Sequence, residues 1–178
     1  NLAVMYKNGQ GVVQSNKTAR EWFTNARDAG DEDVNEQLSK LDAQKGKLAA
    51  IEKAVAQGDP GALYDLARLH EKGQGVVQQS FKKAVELYTM AAEQGHVKAM
   101  FNLALMYKNG QGVVQSNKTA REWFTNARDA GDEDANEQLS KLDEQKGKLA
   151  AIEKAVAQGD LGAVYDLARL HEKGQGVV

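Results

Sequence analysis

The sequence of 178 residues contains no cysteine. This absence excludes disulfide bonds, thiolate metal sites and cysteine nucleophiles, but it does not indicate a compartment because repeat proteins need no covalent staples. Long hydrophobic runs are also missing, since the longest extend over a few residues and a membrane-spanning helix needs about 20. We therefore expect no insertion into a membrane.

Neither sign of charge is in clear excess. The chain carries 23 basic and 25 acidic residues, which gives a formal net charge of -2, and the two kinds are interspersed. No strong field is therefore available to attract nucleic acid or an anionic membrane surface. We expect no nucleic-acid partner.

Signals for β-strands are scarce as well. No stretch alternates apolar and polar residues with enrichment in β-branched side chains. Apolar residues instead recur at helical spacing, as Ala62, Leu66 and Leu69 do before a glycine loop and Ala84 and Ala91 do after it. Neither helix of such a hairpin is apolar enough to be buried alone, so each pair needs a neighbour stacked on it. The sequence therefore predicts an all-α solenoid.

An internal duplication organises the chain. Residues 1–77 recur as residues 102–178, a shift of 101 positions with five differences. These differences are Val4/Leu105, Val34/Ala135, Ala43/Glu144, Pro60/Leu161 and Leu63/Val164. Four of these positions stay nonpolar in both copies, and Glu144 in place of Ala43 fits a solvated helix face. We expect the fold to repeat with the sequence.

A finer repeat lies inside this duplication. The motif A-x3-LA begins at Ala62 and at Ala99, a related form begins at Ala135, and the next copy follows at Ala163 after a shorter interval. We predict two full-length hairpins and a short third hairpin over residues 132–159. Its two helices span residues 132–145 and 148–158, and Gly46 marks the equivalent break in the first copy.

Local signals also predict where helices begin and end. Ser15 or Asn16 is expected to cap a helix that runs to residue 29, and Gly30 is expected to follow it in a left-handed conformation. The carboxylates of residues 31–33 then fall in the first turn of the next helix, where the helix dipole favours them.

Both ends of the chain fall inside hairpins in this scheme. The chain equals two 101-residue periods without the segment of residues 78–101. We expect residues 1–178 to form a single solenoid with a truncated repeat at each end, as a window of a longer array. Because solenoids ordinarily end in polar caps, we expect the open ends to be able to stack or swap.

Two stretches share a longer motif. Residues 62–95 and 99–131 contain A-x3-LA-x2-Y/H-x2-GQGV followed by A-x2-W/L-F/Y-x2-A-x3-G. This pattern resembles the Sel1-like repeat, a relative of the tetratricopeptide repeat with a glycine-containing loop between its helices. The resemblance covers almost the whole chain. The short third hairpin departs from it because it lacks the GQGV loop and the aromatic pair.

The resemblance implies a fold and a class of function. The fold is a right-handed superhelix of stacked antiparallel helix pairs, in which the first helices line a concave face. The implied function is that of an adaptor or scaffold. Some cysteine-rich relatives have been called β-lactamases, but this sequence lacks their cysteines and shows no S-x-x-K motif. We expect a protein that is not an enzyme and that binds no cofactor or metal.

The concave face is the predicted binding surface. If Ala62, Leu66, Ala67 and His70 form the packed side of a first helix, the complementary positions carry aromatic, arginine and aliphatic side chains, as protein-binding surfaces do. These positions are Tyr64, Arg68, Glu71, Lys72, Phe101, Leu105, Lys108, Asn109, Tyr165 and Arg169. We predict that they bind a peptide or protein segment. Two alternatives stay open, namely a solvated groove without a ligand and an architectural array that self-associates end to end through uncapped helix pairs.

The glycine loops and the histidines have structural interpretations. The G-Q-G motif of residues 73–75 lacks the third glycine of a dinucleotide site and follows no strand, so it predicts a tight turn with positive backbone angles. His70 and His171 take the position at which the family has tyrosine, and we expect both on the packed face. His96 follows a glycine at a helix start and is expected to be solvated. No second histidine lies at the spacing of a zinc site.

Two short motifs are similarly explained by helix starts. Residues 31–35 begin like a calcium-binding EF-hand loop, but Glu36 stands where such a loop needs glycine, so capping is the favoured interpretation. Asn16 and Asn117 each begin an N-x-T triplet, the acceptor pattern for glycosylation in secreted proteins. Capping of the second helix is a sufficient role for these residues.

Two Trp-Phe pairs could form an aromatic platform or a core. Phe124 lies four residues after Ala120 and three before Ala127, which is the spacing of one helix face. We therefore predict that Phe124 and its copy Phe23 are core residues and that each neighbouring tryptophan lies on the adjoining flank.

Overall fold

The computed structural model describes residues 2–12, 15–74 and 77–172. Within these ranges the chain forms nine α-helices and one turn of 3-10 helix, and it forms no β-strand. The α-helices are α1 (Leu2–Asn8), α2 (Asn16–Asp28), α3 (Asn35–Ala56), α4 (Pro60–Lys72), α5 (Phe81–Glu93), α6 (Val97–Asn109), α7 (Asn117–Asp129), α8 (Asp134–Ala157) and α9 (Leu161–Glu172). The 3-10 turn, Glu32–Val34, precedes α3. The predicted all-α fold class is confirmed.

The chain divides into two compact units, Asn1–Leu87 and Tyr88–Val178. The division falls inside α5. We call them unit 1 and unit 2 and describe each by itself. Four helices precede a G-Q-G motif in the sequence, namely α1, α4, α6 and α9, and we call these the first helices.

Unit 1 is built on the hairpin of α1 and α2. Its core consists of small and large apolar residues that interlock, namely Ala3, Ala19, Phe23, Val34, Leu38 and Leu41. Ala19 and Phe23 are four residues apart on α2, so both point towards α1 and α3. The first part of α3 completes this core, and α4 packs against α3.

Unit 2 repeats this arrangement with α6, α7 and α8. Its core contains Ala104, Ala120, Phe124, Ala127, Ala135, Leu139 and Leu142. The rings of Phe101 and Phe124 meet edge to face with centroids 5.3 Å apart. Phe23 and Phe124 are both fully buried, which confirms the predicted core position. Trp123 packs against the edge of the core, whereas Trp22 is 43% exposed.

Helix ends follow the predicted chemistry. Ser15 caps α2 because its side chain accepts a hydrogen bond of 3.2 Å from the backbone N–H of Thr18. Ser116 caps α7 in the same way. Asp31 caps the 3-10 turn by accepting from the N–H of Asp33, which confirms capping as the role of that acidic segment.

The glycine turns also form as predicted. Gly73 ends α4 with φ of 61° and Gly110 ends α6 with φ of 67°, so both residues are left-handed. A Cβ atom at Gly73 would lie 3.0 Å from the Cβ atom of Gln79, because the loop folds back tightly on the helix end. Gly75, the other glycine of that motif, lies outside the described residues.

The predicted break at Gly46 is wrong, and so is the short third hairpin. α3 and α8 are continuous through Gly46 and Gly147, and neither glycine has a positive φ. A glycine inside a helix costs about 1 kcal/mol relative to alanine, which neighbouring residues with high helix propensity can offset. In α8 the flanks also form the ion pairs Glu137–Lys141 and Glu144–Lys148 one helical turn apart. Each segment is therefore one long helix.

Candidate protein-interaction surface

Two first helices carry the same tyrosine–arginine pair. In α4 the guanidinium carbon of Arg68 lies 5.7 Å from the centroid of the Tyr64 ring, and in α9 that of Arg169 lies 5.8 Å from the centroid of Tyr165. The residues of each pair are four positions apart, so they share a helix face. Both arginines are exposed, and Tyr165 is 65% exposed while Tyr64 is half-buried. Each unit therefore presents one stacked pair.

The end of α4 is held by the loop that follows it. Glu71 is half-buried, and its carbonyl oxygen accepts a hydrogen bond of 2.9 Å from the Gln79 side chain. The N–H of Ser80 donates to the carbonyl oxygen of His70 at 2.8 Å. Lys72 is exposed. The four candidate residues of α4 thus lie on a helix whose end is fixed rather than free.

A cleft of about 590 Å³ lies beside this helix end in unit 1. It is lined by Leu48 and Glu52 of α3, Leu66 and His70 of α4, Val77, Gln78, Gln79 and Ser80 of the loop, and Lys83 of α5. The Nδ1 atom of His70 lies 3.4 Å from the carbonyl oxygen of Gln78. Burial lowers the pKa of His70, the Gln78 carbonyl opposes this effect, and the charges of Lys83 and Glu52 act in opposite directions.

Three of the four candidate residues of α6 are half-buried against other parts of unit 2, whereas the sequence predicted an open binding face. Phe101 and Leu105 are half-buried and pack against the core of unit 2. Lys108 donates a hydrogen bond of 2.8 Å from Nζ to the side-chain oxygen of Gln138 on α8. Burial lowers the pKa of Lys108, and the nearby charge of Lys141 lowers it further. Of the four, only Asn109 is exposed.

The candidate residues therefore divide between the units. Tyr64, Arg68, Glu71 and Lys72 share α4 in unit 1, and the other six lie on α6 and α9 in unit 2. Within unit 2, Phe101, Leu105 and Lys108 of α6 contact neighbouring helices. Asn109 on α6 and Tyr165 and Arg169 on α9 are open to solvent.

Sequence reasoning missed a second cleft, between α2 and α3. Its volume is about 520 Å³, and its lining consists of Asn16, Lys17, Arg20, Glu21, Leu41, Asp42, Lys45 and Leu48. Arg20 forms a bidentate pair with Asp42: Nε donates to Oδ1 at 2.8 Å and Nη2 donates to Oδ2 at 3.3 Å. These hydrogen bonds lower the pKa of Asp42. The sequence signal for this ion pair is that the same arginine and aspartate recur at the same spacing in the second copy, as Arg121 and Asp143, which also form an ion pair.

The histidines correct two expectations. His171 is exposed on α9 rather than packed, although its copy His70 is half-buried. His96 is half-buried rather than solvated, and its Nδ1 atom caps α6 by accepting a hydrogen bond of 3.2 Å from the N–H of Ala99. A helical pattern identifies the face on which a residue lies, but it does not reveal whether a neighbouring element covers that face.

Neither metal sites nor membrane spans are found in the part of the chain that the structure describes. No group of three or more histidine, aspartate or glutamate residues there is placed to hold a metal ion. None of the helices described is both long and apolar enough to cross a bilayer.

Comparison with known proteins points to one family. The family model for the Sel1 repeat matches residues 1–31, 60–96, 97–132 and 162–178, which together make up more than half of the chain. The two unmatched internal segments contain α3 and α8. A search of functionally curated proteins finds no significant match.

Solved structures agree with this assignment. A Sel1 repeat protein from Oxalobacter formigenes is 28% identical, and its alignment covers 99% of this chain and 78% of that one with a TM-score of 0.52. The cysteine-rich protein B of Helicobacter pylori shares the fold at 22% identity, over 69% of this chain and 93% of that one, with a TM-score of 0.52.

A further similar structure is a protective antigen of uropathogenic Escherichia coli strains that displays an SLR fold. It is 26% identical over 99% of this chain, and its TM-score is 0.49. The present chain spans 41% of that antigen's length.

The matched segments coincide with the helix hairpins. The match to residues 97–132 encloses α6 and α7, and the match to residues 60–96 encloses α4 and α5. Sel1 repeats mediate protein interactions, and proteins built from them generally act as non-catalytic interaction scaffolds. With four matched segments and the α-solenoid fold class of its structural neighbours, the chain belongs to the Sel1 repeat family.

Proposed function

We propose that this protein is a non-catalytic adaptor that binds a peptide or protein segment on the surface of its first helices. The observation that carries the proposal is the stacked tyrosine–arginine pair, Tyr64 with Arg68 on α4 and Tyr165 with Arg169 on α9. The pair recurs with the same geometry in both units, at the sequence positions related by the duplication.

The chemistry of this pair suits recognition. A guanidinium held over an aromatic ring loses little additional freedom on binding, and its donors remain available at its edge. Planar donors of this kind bind carboxylate groups through two parallel hydrogen bonds. Tyrosine and arginine are also among the residues that contribute most to protein–protein binding. We therefore expect the bound segment to carry a carboxylate or an exposed backbone carbonyl near an apolar side chain.

The remaining candidates contribute in different ways. Lys72 and Asn109 are exposed near the ends of α4 and α6, where their side chains can contact a bound segment. Phe101 and Leu105 support the core of unit 2 and present only part of their surface. Truncation of Phe101 is for this reason a poor test of binding, because it would remove the edge-to-face contact with Phe124.

The test begins with selection of peptides from a displayed library on the immobilised 178-residue chain. The affinity of a selected peptide is then measured by fluorescence anisotropy for the unchanged chain and for Arg68→Ala and Arg169→Ala. We expect each substitution to weaken binding at its own tyrosine–arginine pair by about tenfold and to leave the pair in the other unit unaffected.

The control variant is Arg27→Ala. Arg27 is an exposed arginine of α2 that pairs with its neighbour Asp28 and lies outside the first helices. Its substitution should leave the affinity unchanged. Peptides whose affinity is equal for all four chains, or a library that yields no specific binder, would contradict the proposal.

A further inference from the structure

The cleft between α2 and α3 of unit 1 combines an apolar floor with a charged rim, and we call it the α2–α3 cleft. Leu41 and Leu48 of α3 supply the apolar lining. They are seven positions apart, so they lie on one face of the helix about 10 Å from each other. The helices that adjoin α2 and α3 in the chain are both in place, since α1 packs against α2 and α4 packs against α3.

The rim of this cleft carries more positive than negative charge. Its charged residues are Lys17, Arg20 and Lys45 against Glu21 and Asp42. Arg20 and Asp42 neutralise each other in their bidentate pair. Lys17 and Lys45 are exposed, and neither forms an ion pair within the part of the chain that the structure describes. Two ammonium groups therefore face one unpaired carboxylate.

The one charge-changing difference between the two copies of the duplicated sequence lies beside this cleft. Position 43 on α3 carries alanine, and the equivalent position on α8 carries Glu144. Glu144 forms an ion pair with Lys148 one helical turn later. Lys47, the first-copy equivalent of Lys148, has Ala43 at that place instead. Unit 1 thus has one negative charge fewer next to the cleft.

The apolar floor is also more open in unit 1. Leu48 is half-buried, whereas its copy Leu149 is only 6% exposed. Arg20 on the rim is exposed, whereas its copy Arg121 is half-buried. Unit 1 is therefore the copy that offers accessible apolar surface together with a cationic rim.

We propose that the α2–α3 cleft binds a short extended segment of a partner protein, in which an apolar side chain and a carboxylate lie two residues apart. In an extended segment such residues point to the same side and are about 7 Å apart. Leu48 and Lys45 are one helical turn apart on the same face of α3, so one can contact the apolar side chain while the other pairs with the carboxylate. Lys17 faces the same carboxylate from α2.

This site is separate from the proposed function on the first helices. Its lining contains neither residue of either tyrosine–arginine pair. α3, which supplies the floor, also lies outside the segments that the Sel1 repeat model matches. Burial of the apolar side chain on Leu48 supplies the affinity, and the two lysines select an acidic segment.

The experiment follows backbone amide resonances of the isotope-labelled 178-residue chain during titration with a peptide of sequence Ser-Leu-Ser-Glu-Ser. The peptide is acetylated and amidated, so glutamate supplies its one carboxylate. We expect saturable shifts at residues 16–21 and 41–48, which line the cleft. The equivalent residues 117–122 and 142–149 of the second copy are the internal control and should not shift. Replacement of the peptide's leucine by alanine, or of its glutamate by glutamine, should weaken binding by about tenfold.

Variants of the chain test the rim. Lys45→Glu should weaken binding by at least about tenfold, because it reverses the charge that faces the carboxylate. Lys146→Glu makes the same change in the second copy and should leave the affinity unchanged. Ala43→Glu restores the second-copy residue and should weaken binding by about threefold. All three positions are exposed on helices, so these variants should fold normally.

Three outcomes would overturn the proposal. The first is a failure to saturate or an equal response of the two copies, and the second is equal affinity for the Lys45→Glu chain. The third is tighter saturation of the same amides by octanoate, which would make the occupant a small amphipathic carboxylate. Arg68→Ala should bind this peptide as the unchanged chain does, because a loss of binding would place the peptide on α4 and also contradict the proposal.

Discussion

At the scale of single residues, equivalent positions of the two copies differ in their burial. His70 is half-buried beside a cleft, whereas its copy His171 is exposed on α9. Leu63 is buried, whereas its counterpart Val164 is nearly half exposed. Burial of a residue here therefore depends on the elements that pack against its helix and not on the residue alone. The duplication therefore supplies a matched control for almost every substitution.

His70 should make stability depend on pH. Burial lowers its pKa in the folded chain, and the charged groups that face it are Glu52 of α3 and Lys83 of α5. The unfolded chain then binds the proton more readily, so stability is complete above the unfolded pKa of about 6.5 and decreases as the pH falls from that value towards the folded pKa.

The matched variants are His70→Gln and His171→Gln. We expect His70→Gln to reduce the loss of unfolding free energy between neutral and mildly acidic pH, as measured by urea denaturation at several pH values. His171→Gln removes the exposed copy of this histidine and is the matched comparison in the same measurement. If the unfolding free energy of His70→Gln and of the unchanged chain changed equally with pH, His70 would not be the source of this pH dependence.

At the scale of helices, the sequence predicted most ends correctly. Ser15, Gly30 and Gly73 act as expected because capping and left-handed turns depend on a few adjacent residues. Gly46 did not, because a glycine in a sequence can either end a helix or be tolerated within it. The choice depends on the helix propensity of the flanking residues and on the packing of α3 against α2 and α4, and the local sequence does not encode this packing.

Replacement of the internal glycines tests the continuity of the long helices. In a continuous helix, Gly147→Ala should raise the unfolding free energy by about 0.5–1 kcal/mol, since no atom lies within 4 Å of the added Cβ. Gly46→Ala in α3 should act in the same direction. If these glycines instead ended a helix in a left-handed conformation, both substitutions would be destabilising.

Gly110→Ala provides the contrast in the same denaturation experiment. Gly110 has φ of 67°, and an added Cβ would lie 3.2 Å from the Cβ atom of Gln115. This variant should be less stable than the unchanged chain by about 1–2 kcal/mol, the usual cost of a left-handed non-glycine residue. A higher unfolding free energy for Gly147→Ala and a lower one for Gly110→Ala would support the observed helix bounds.

At the scale of the whole molecule, the chain combines matched Sel1 repeats with unmatched long helices. The unmatched segments of residues 32–59 and 133–161 contain α3 and α8, which replace the hairpin that the sequence suggested. Family membership could be inferred from the GQGV and Ala-x3-Phe-x2-Ala signals alone. The open face of α9 and the packing of Phe101 could not, because both depend on which helix lies next to which.

The central claim is that the tyrosine–arginine pairs bind a protein segment. The most direct measurement is isothermal titration calorimetry of a selected peptide against the unchanged chain and the double variant Arg68→Ala/Arg169→Ala, with circular dichroism to verify the fold. Both arginines are exposed, so the variant should keep its helicity. We predict that the affinity of the double variant for the peptide is about tenfold lower, so that its binding heat is clearly reduced at peptide concentrations that just saturate the unchanged chain. Equal affinity of the two chains would contradict the account.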